Sequence, residues 1–314
     1  MKLRLPTMNK RHLLFALLTS FLLISSRMAY SQAEGMEIRM LTYNIRHGAG
    51  MDDIVDLNRQ AAVIQGTEPD VVGLQEVDSC VKRSGYIPEA KILGDALGMY
   101  STFGAAIPLT GGKYGVAILS KEQPLSVHHL PLPGVEKRTL LVCEFEHYVF
   151  ATTHLDLNDS CRFASLPIIL EEAASWEKPF FICGDWNDEP TSTLIKQMRK
   201  DGFIFLNGIT SSSLNYTFPA PNPTKTIDYI TSFGRVTKST TARKVIKEPE
   251  ASDHRPVLVG VTIELPTSIQ SPSASLDDAK HDEIYDLTGK KVESDNLLPG
   301  LYIQKNKRKK FVIR

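Results

Sequence analysis

Long apolar runs, cysteine and a surplus of charge are all scarce in this 314-residue chain. Its longest apolar stretch, Leu13 to Ile24, has 12 residues, well short of the roughly 20 that a helix needs to span a bilayer. A multi-span membrane protein is therefore not expected. Four cysteines are too few to build a disulfide scaffold, so a hydrophobic core must supply the stability. The 36 basic and 36 acidic side chains cancel over the whole chain, but residues 32–266 hold 22 basic against 29 acidic ones, a net of −7. That body lacks the basic excess with which proteins grip nucleic acid nonspecifically. What remains, 42% hydrophobic and 23% charged residues, is the composition of a globular protein with a real core.

The first 31 residues open with Lys2, Arg4, Lys10 and Arg11, continue through the short apolar run, and end on Ala29-Tyr30-Ser31. That is the layout of a signal peptide cleaved near Ser31, and it predicts an exported protein, periplasmic, cell-surface or extracellular. Cys143 and Cys183 sit inside apolar strand-like runs and read as small core hydrophobes, while Cys80 and Cys161 lie in polar loops where pairing stays open. Residues 266–280 are rich in Ser, Pro and Asp without apolar periodicity and read as a linker. Residues 281–314 read as a small β unit with a basic turn at 305–310, taken as a solvated hairpin tip.

Between Glu37 and Leu265, short β-branched runs alternate with helical stretches. Strands are predicted at 37–43, 70–75, 115–120, 139–146, 148–154, 179–184, 227–232 and 256–263. Helices are predicted at 57–66, 88–97, 162–176 and 191–201. The neighbouring runs around His147 read as a hairpin, so antiparallel pairing enters an α/β body and a purely parallel doubly wound sheet is disfavoured.

Five of these segments end an apolar strand with carboxylates, carboxamides or imidazoles: Thr42–Gly48, Gly73–Asp78, Thr152–Asp156, Gly184–Asp188 and Ala251–Pro256. Five such ends in order predict one sheet edge crowded with oxygen ligands and proton carriers. Hard divalent cations select carboxylate and carboxamide oxygens, and Asn44, Glu76 and Asp253 suit that task for Mg²⁺ or Mn²⁺.

The ordered motifs TYNIRHG, PDVVGLQEVD, GGKYGVAILS, TTHLD, CGDWNDEP, TIDYI and SDHRPV resemble those of the endonuclease/exonuclease/phosphatase superfamily over about residues 36–265. The resemblance implies a four-layer α/β sandwich of two mixed β-sheets flanked by helices, with strand ends meeting at one cleft. It further implies that a divalent metal assists cleavage of a phosphoester. By position, Asn44, Glu76 and Asp253 match the family's metal site, His254 its essential histidine, and Asp228 the carboxylate that orients that imidazole. Asp185 and Asn187 match the pair that positions water and the scissile phosphate, and His154 matches a second histidine of the deoxyribonuclease and sphingomyelinase branches. Tyr114 and Arg138 resemble phosphate-contacting residues. Two positions depart from the pattern: Arg46 stands where abasic-site enzymes carry aspartate, and Thr226 where many relatives carry arginine. The segment around Ile284–Lys290 and Pro299–Ile303 is similar to sorting tails of type IX secretion substrates.

The function expected is that of an exported metal-dependent phosphohydrolase, a monomer acting on a small-molecule or lipid-headgroup phosphoester by in-line attack of water. An exported endonuclease is the alternative, disfavoured by the acidic body. A catalytically inactive binding module is a third reading, which would require loss of a site residue, and none is lost.

Overall fold

A computed structural model describes residues 35–210, 212–234 and 236–265, and the backbone of four short strands closer to the C-terminus. The signal-peptide segment and the 266–280 linker lie outside the described residues. In the first of two compact units, ending at Pro266, the strands are β1 (Gly35–Asn44), β2 (Val71–Ser79), β3 (Tyr100–Leu109), β4 (Gly112–Ser120), β5 (Ser126–Leu132), β6 (Arg138–Glu144), β7 (Val149–His154), β8 (Phe180–Asp185), β9 (Phe203–Phe205), β10 (Asp228–Phe233), β11 (Thr237–Val245) and β12 (Val257–Glu264). Helices α1 (Leu57–Gln65), α2 (Glu89–Leu97), α3 (Asp159–Ala174) and α4 (Thr193–Lys200) run between them. Polar side chains fix the starts of three: Asp56, Asn158 and Ser192 accept the amides of Asn58, Cys161 and Ile195, satisfying N–H groups that have no partner in the first turn.

The strands form two six-stranded sheets, ordered β11-β12-β1-β2-β4-β3 and β5-β6-β7-β8-β10-β9. Each is mixed: β1 with β2 and β7 with β8 run parallel, and the other neighbours antiparallel. The hairpin expected around His147 is β6–β7. Side chains alternate between faces along a strand, and here both faces are covered. In β1, Ile38 and Met40 join the layer between the sheets, while Leu41 and Tyr43 join the layer holding Leu57 and Ile64 of α1 and Leu93 of α2. In β8, Phe181 and Cys183 point between the sheets, while Phe180 and Ile182 join Leu166 of α3 and Ile195 of α4. The result is the helix–sheet–sheet–helix sandwich that the resemblance implies.

The second unit, from Thr267 onward, has β13 (Ile284–Asp286), β14 (Lys291–Val292), β15 (Gly300–Gln304) and β16 (Lys309–Ile313) in the antiparallel order β14-β13-β15-β16. The rest of the predicted tail lies outside the described residues. All four cysteines are free thiols, with Cys143 and Cys183 buried. Among the described residues no helix is long and apolar enough to cross a membrane.

Toward one end of the sandwich the inner layer turns polar. Thr42 Oγ1 donates to Gln75 Oε1 (3.3 Å), and Gln75 Nε2 donates across the sheets to Thr152 Oγ1 (2.8 Å). The backbone there comes so close that a Cβ on Gly73 would lie 2.2 Å from Cys183 Sγ and 2.7 Å from Thr152 Oγ1. Gly73→Ala must push the sheets apart, and we expect a loss of about 1–3 kcal/mol, read as a lower denaturation midpoint at unchanged slope.

Glu89, at the start of α2, is fully buried and accepts the amide of Asp78 (2.8 Å) with Oε2, while Oε1 has no hydrogen-bond partner. Burial raises its carboxyl from 4.5 to about 8, opposed by that amide. The unfolded chain then loses this proton near pH 4.5 and the folded chain only near 8, so this group's contribution is most favourable below pH 4.5 and declines as pH rises to 8. Melting temperatures of Glu89→Gln should therefore fall less between pH 5 and 8 than those of the wild type; parallel curves would contradict it.

Candidate active site

The strand alternation that buries Met40 also places Asn44 at the last inward position of β1. In the same way His154 ends β7, Asp185 ends β8 and Asp228 begins β10. Asp185 stands directly opposite Asp228 in the antiparallel pair and beside His154 in the parallel one. Glu76 reaches the same edge by a different device. The β2–β4 register shifts between Leu74 and Val77, and Glu76 takes φ 57°, a left-handed conformation that is strained for a residue with a Cβ. This bulge re-aims the side chain into the cleft. Asn187 is likewise left-handed at φ 49°.

His254 and Asp253 arrive on the loop before β12, which is tied down on both sides. Ser252 Oγ donates to the Asn44 carbonyl (2.7 Å), Gln60 Nε2 to that of Ala251 (2.6 Å), and the amides of Ala220 and Arg255 bond to the carbonyls of Asp253 and Thr217. The His254 ring rests 4.8 Å from that of Phe218, centroid to centroid. Its Nδ1 meets Asp228 Oδ2 at 3.0 Å, and its Nε2 faces Asp185 Oδ2 at 3.6 Å. Burial alone would lower the imidazole's pKa, but the two carboxylates hold it above the ordinary range, to about 10. Burial raises the Asp185 carboxyl, with the imidazole opposing.

Asp185 Oδ1 accepts the amide of Asn187 (2.9 Å), whose Nδ2 donates to the Leu155 carbonyl (2.9 Å) and meets His154 Nε2 (3.1 Å). Burial first, then the charges of Arg138 and His254, lower the His154 pKa well below its ordinary value and keep that ring neutral. A neutral ring that accepts from Asn187 at Nε2 carries its proton on Nδ1, which finds no partner among the described residues. Arg138, buried at the start of β6, pairs with Glu136 (2.8 Å) and lies 3.8 Å from Asp156. The Tyr114 phenol sits against this guanidinium, its pKa raised by burial and by Glu76.

All ten predicted residues thus gather at one end of the sandwich. Eight line a cavity of about 590 Å³, and Asp228 and Asn44 lie behind it, hydrogen-bonded to lining residues. Asn44 differs from expectation in its orientation. Fully buried beneath the cleft, it turns Nδ2 toward Glu76 Oε1 and Asp185 Oδ2 (both 3.1 Å), and its Oδ1 accepts the amide of Arg46 (3.0 Å). Flipping the amide would set two donors against each other at Arg46, so Asn44 meets these carboxylates as a donor, and its Oδ1 keeps a second lone pair beside the Arg46 amide. Arg46 itself pairs with Asp53 (2.7 Å), and Thr226 Oγ1 donates to the Asn215 carbonyl (2.8 Å).

The cleft also has residues to which the motifs gave no role: Glu136, Leu157, Asp188, Glu189, Phe218, Lys225 and Ile227. No sequence spacing turns these side chains inward.

Six carboxylates line this cavity, against Arg138, Lys225 and the protonated His254. A phosphate group entering it meets net negative charge, so the donor set suits a cation that would offset it. Of the lining carboxylates, Asp185 faces His254, Glu136 pairs with Arg138 and Asp188 with Arg162 (3.3 Å), which leaves Glu76, Asp253 and Glu189, and of these Glu76 and Asp253 lie close enough to feel each other's charge. Asp185, Asp228 and His254 also bring donor atoms within 4.8 Å of one another, but there Asp228 is engaged by the His254 ring.

Residues 41–254 match the model of the Endonuclease/Exonuclease/phosphatase family. No curated protein matches the chain. Solved structures do. An endonuclease/exonuclease/phosphatase from Beutenbergia cavernae superposes with TM-score 0.62 at 21% identity, covering 72% of each chain. A mannosyl-6-phosphatase of Bacteroides thetaiotaomicron gives 0.56 at 20% identity, covering 71% of this chain and 99% of that one. The human Nocturnin catalytic domain with bound sulfate gives 0.55 at 18% identity, covering 74% and 97%. At these identities the likeness is one of fold, and it is the fold described above. With more than half its length matched by the family model, the chain belongs to the endonuclease/exonuclease/phosphatase family.

Proposed function

We propose that the protein is an exported, divalent-cation-dependent phosphohydrolase that cleaves a phosphoester by in-line attack of water. Members of its family are hydrolases of phosphoesters. The observation that carries the reading is the convergence of His254, Asp228 and Asp185 beside Glu76 and Asp253 in one acid-lined cavity. Mg²⁺ or Mn²⁺, held by Glu76 and Asp253, would supply the positive charge that this cavity needs before a phosphate can enter.

The chain's own groups then divide the work. His254, kept protonated by Asp228, presents Nε2–H as a charged donor to a phosphoryl oxygen. Asp185, recessed and held by the Asn187 amide, accepts the proton of the attacking water as the new O–P bond forms; the P–O bond opposite breaks and the departing alkoxide takes a proton from solvent. Asn187 gives both Nδ2 hydrogens to Leu155 and His154, which leaves its Oδ1 to accept from, and so position, the attacking water. Arg138 adds a fixed charge for the oxygens that gain negative charge in the transition state. Neutral His154 orients Asn187 rather than donating a proton.

A substrate screen with sugar phosphates, phosphatidylinositols, sphingomyelin, plasmid DNA and RNA should give hydrolysis with Mg²⁺ or Mn²⁺ that EDTA abolishes and added cation restores. Chelator-resistant activity would refute the cation's part. On the best substrate, His254→Ala should lower kcat by roughly 10²–10⁴-fold with a much smaller change in KM and a native far-ultraviolet circular-dichroism spectrum at the assay temperature, while its melt moves down as Asp185 and Asp228 lose the charge between them. Wild-type turnover in that folded variant would remove His254 from the chemistry.

A further inference from the structure

A second cavity, of about 680 Å³, lies where the end of β11 meets the segment 207–216 and the residue after His254. Its lining includes Arg243, Lys244, Lys247 and Arg255, and not one acid. The side chains of Arg243, Lys244 and Lys247 are exposed and make no hydrogen bond or ion pair among the described residues. The adjoining acid in sequence, Glu248, is turned away, its Oε1 accepting the amides of Glu250 and Ala251. Arg255 donates to the carbonyls of Ala220 (2.7 Å) and Pro221 (3.4 Å). Four like charges in one concavity repel, and among the described residues no acid lines the cavity to offset them. On a body of net charge −7, such a concentration is an attractive potential for an anion of matching charge.

We propose that this cavity is a second phosphate-binding site. It would accept either a further phosphate of the substrate, besides the one cleaved, or free inorganic phosphate. Its placement suits the first source. Residues 217–225 separate it from the catalytic cavity, with Phe218 and Lys225 on the cleft side and Ala220 and Pro221 held by Arg255. Only the substrate's identity as a phosphoester rests on the reading of the catalytic cleft; the cavity's charge does not.

The two are separable by experiment. In EDTA and low salt, where the acid-lined cleft repels anions, inorganic phosphate titrated into the full chain by calorimetry should bind one site. Arg243→Ala/Lys244→Ala/Lys247→Ala should weaken that binding at least tenfold, and His254→Ala should leave it unchanged. Equal affinity in the wild type and the triple variant, or no binding to the wild type, would overturn the proposal. With Mg²⁺ restored, a tenfold rise in KM of the triple variant for a sugar bisphosphate but not for the monophosphate assigns the site to the substrate's second phosphate. Unmoved KM values alongside the lost binding assign it to free phosphate. Absence of any hydrolysis would sink the catalytic reading and leave the binding result standing.

Discussion

An imidazole held between two buried carboxylates is the interaction on which the cleft depends. The register of β8 with β10 sets Asp185 directly across from Asp228, an arrangement that repels when both are ionised. Burying either charge alone is costly as well. A protonated His254 between them, 3.0 Å from one and 3.6 Å from the other, relieves both difficulties at once. The carboxylates come from one sheet and the histidine from a loop of the other. The site therefore exists only while the two sheets keep their registration, and the Asn44–Asp185 and Gln75–Thr152 hydrogen bonds cross the same seam.

This dependence explains why the inner layer changes character along its length. Ile38 and Met40 give way to Thr42 and Asn44 on β1, and Phe181 and Cys183 give way to Asp185 on β8. Apolar packing at one end fixes the spacing of the sheets, and polar pairs at the other exploit it. The same alternation made the site readable in the sequence, because a strand buried on both faces ends its apolar run abruptly at its last inward residue. The eight strands that the sequence predicts are the interior ones.

The four strands that the sequence pattern does not mark, β3, β5, β9 and β11, are the two edges of each sheet. An edge strand has one neighbour and is less covered, so its residues need not be apolar. β11, TKSTTARKV, carries mostly exposed polar side chains, and β5 keeps His128 and His129 exposed. Their pairing is dictated by the neighbour rather than by their own composition, which single-sequence periodicity cannot register. Asn44 shows a similar limit at the site. Its position on β1 was legible, but the orientation of its amide is set by the Arg46 amide and by Asp185, 141 residues away.

Edge strands and charge asymmetry meet at β11. A sheet edge left bare invites pairing with another chain, and positive side chains are one way of discouraging it. That protective role would be served by lysines spread along the strand. Instead Arg243 and Lys244 fall at its end beside Lys247 and Arg255, enclosing a cavity next to the catalytic wall. Protection of the edge does not require that enclosure, whereas binding an anion does. On the function proposed, the acid-lined cleft and the acid-free cavity, set on either side of residues 217–225, would divide the recognition of a phosphorylated ligand. The first would add a bound cation's charge to those of Arg138, Lys225 and His254, whereas the second draws its charge from the chain alone.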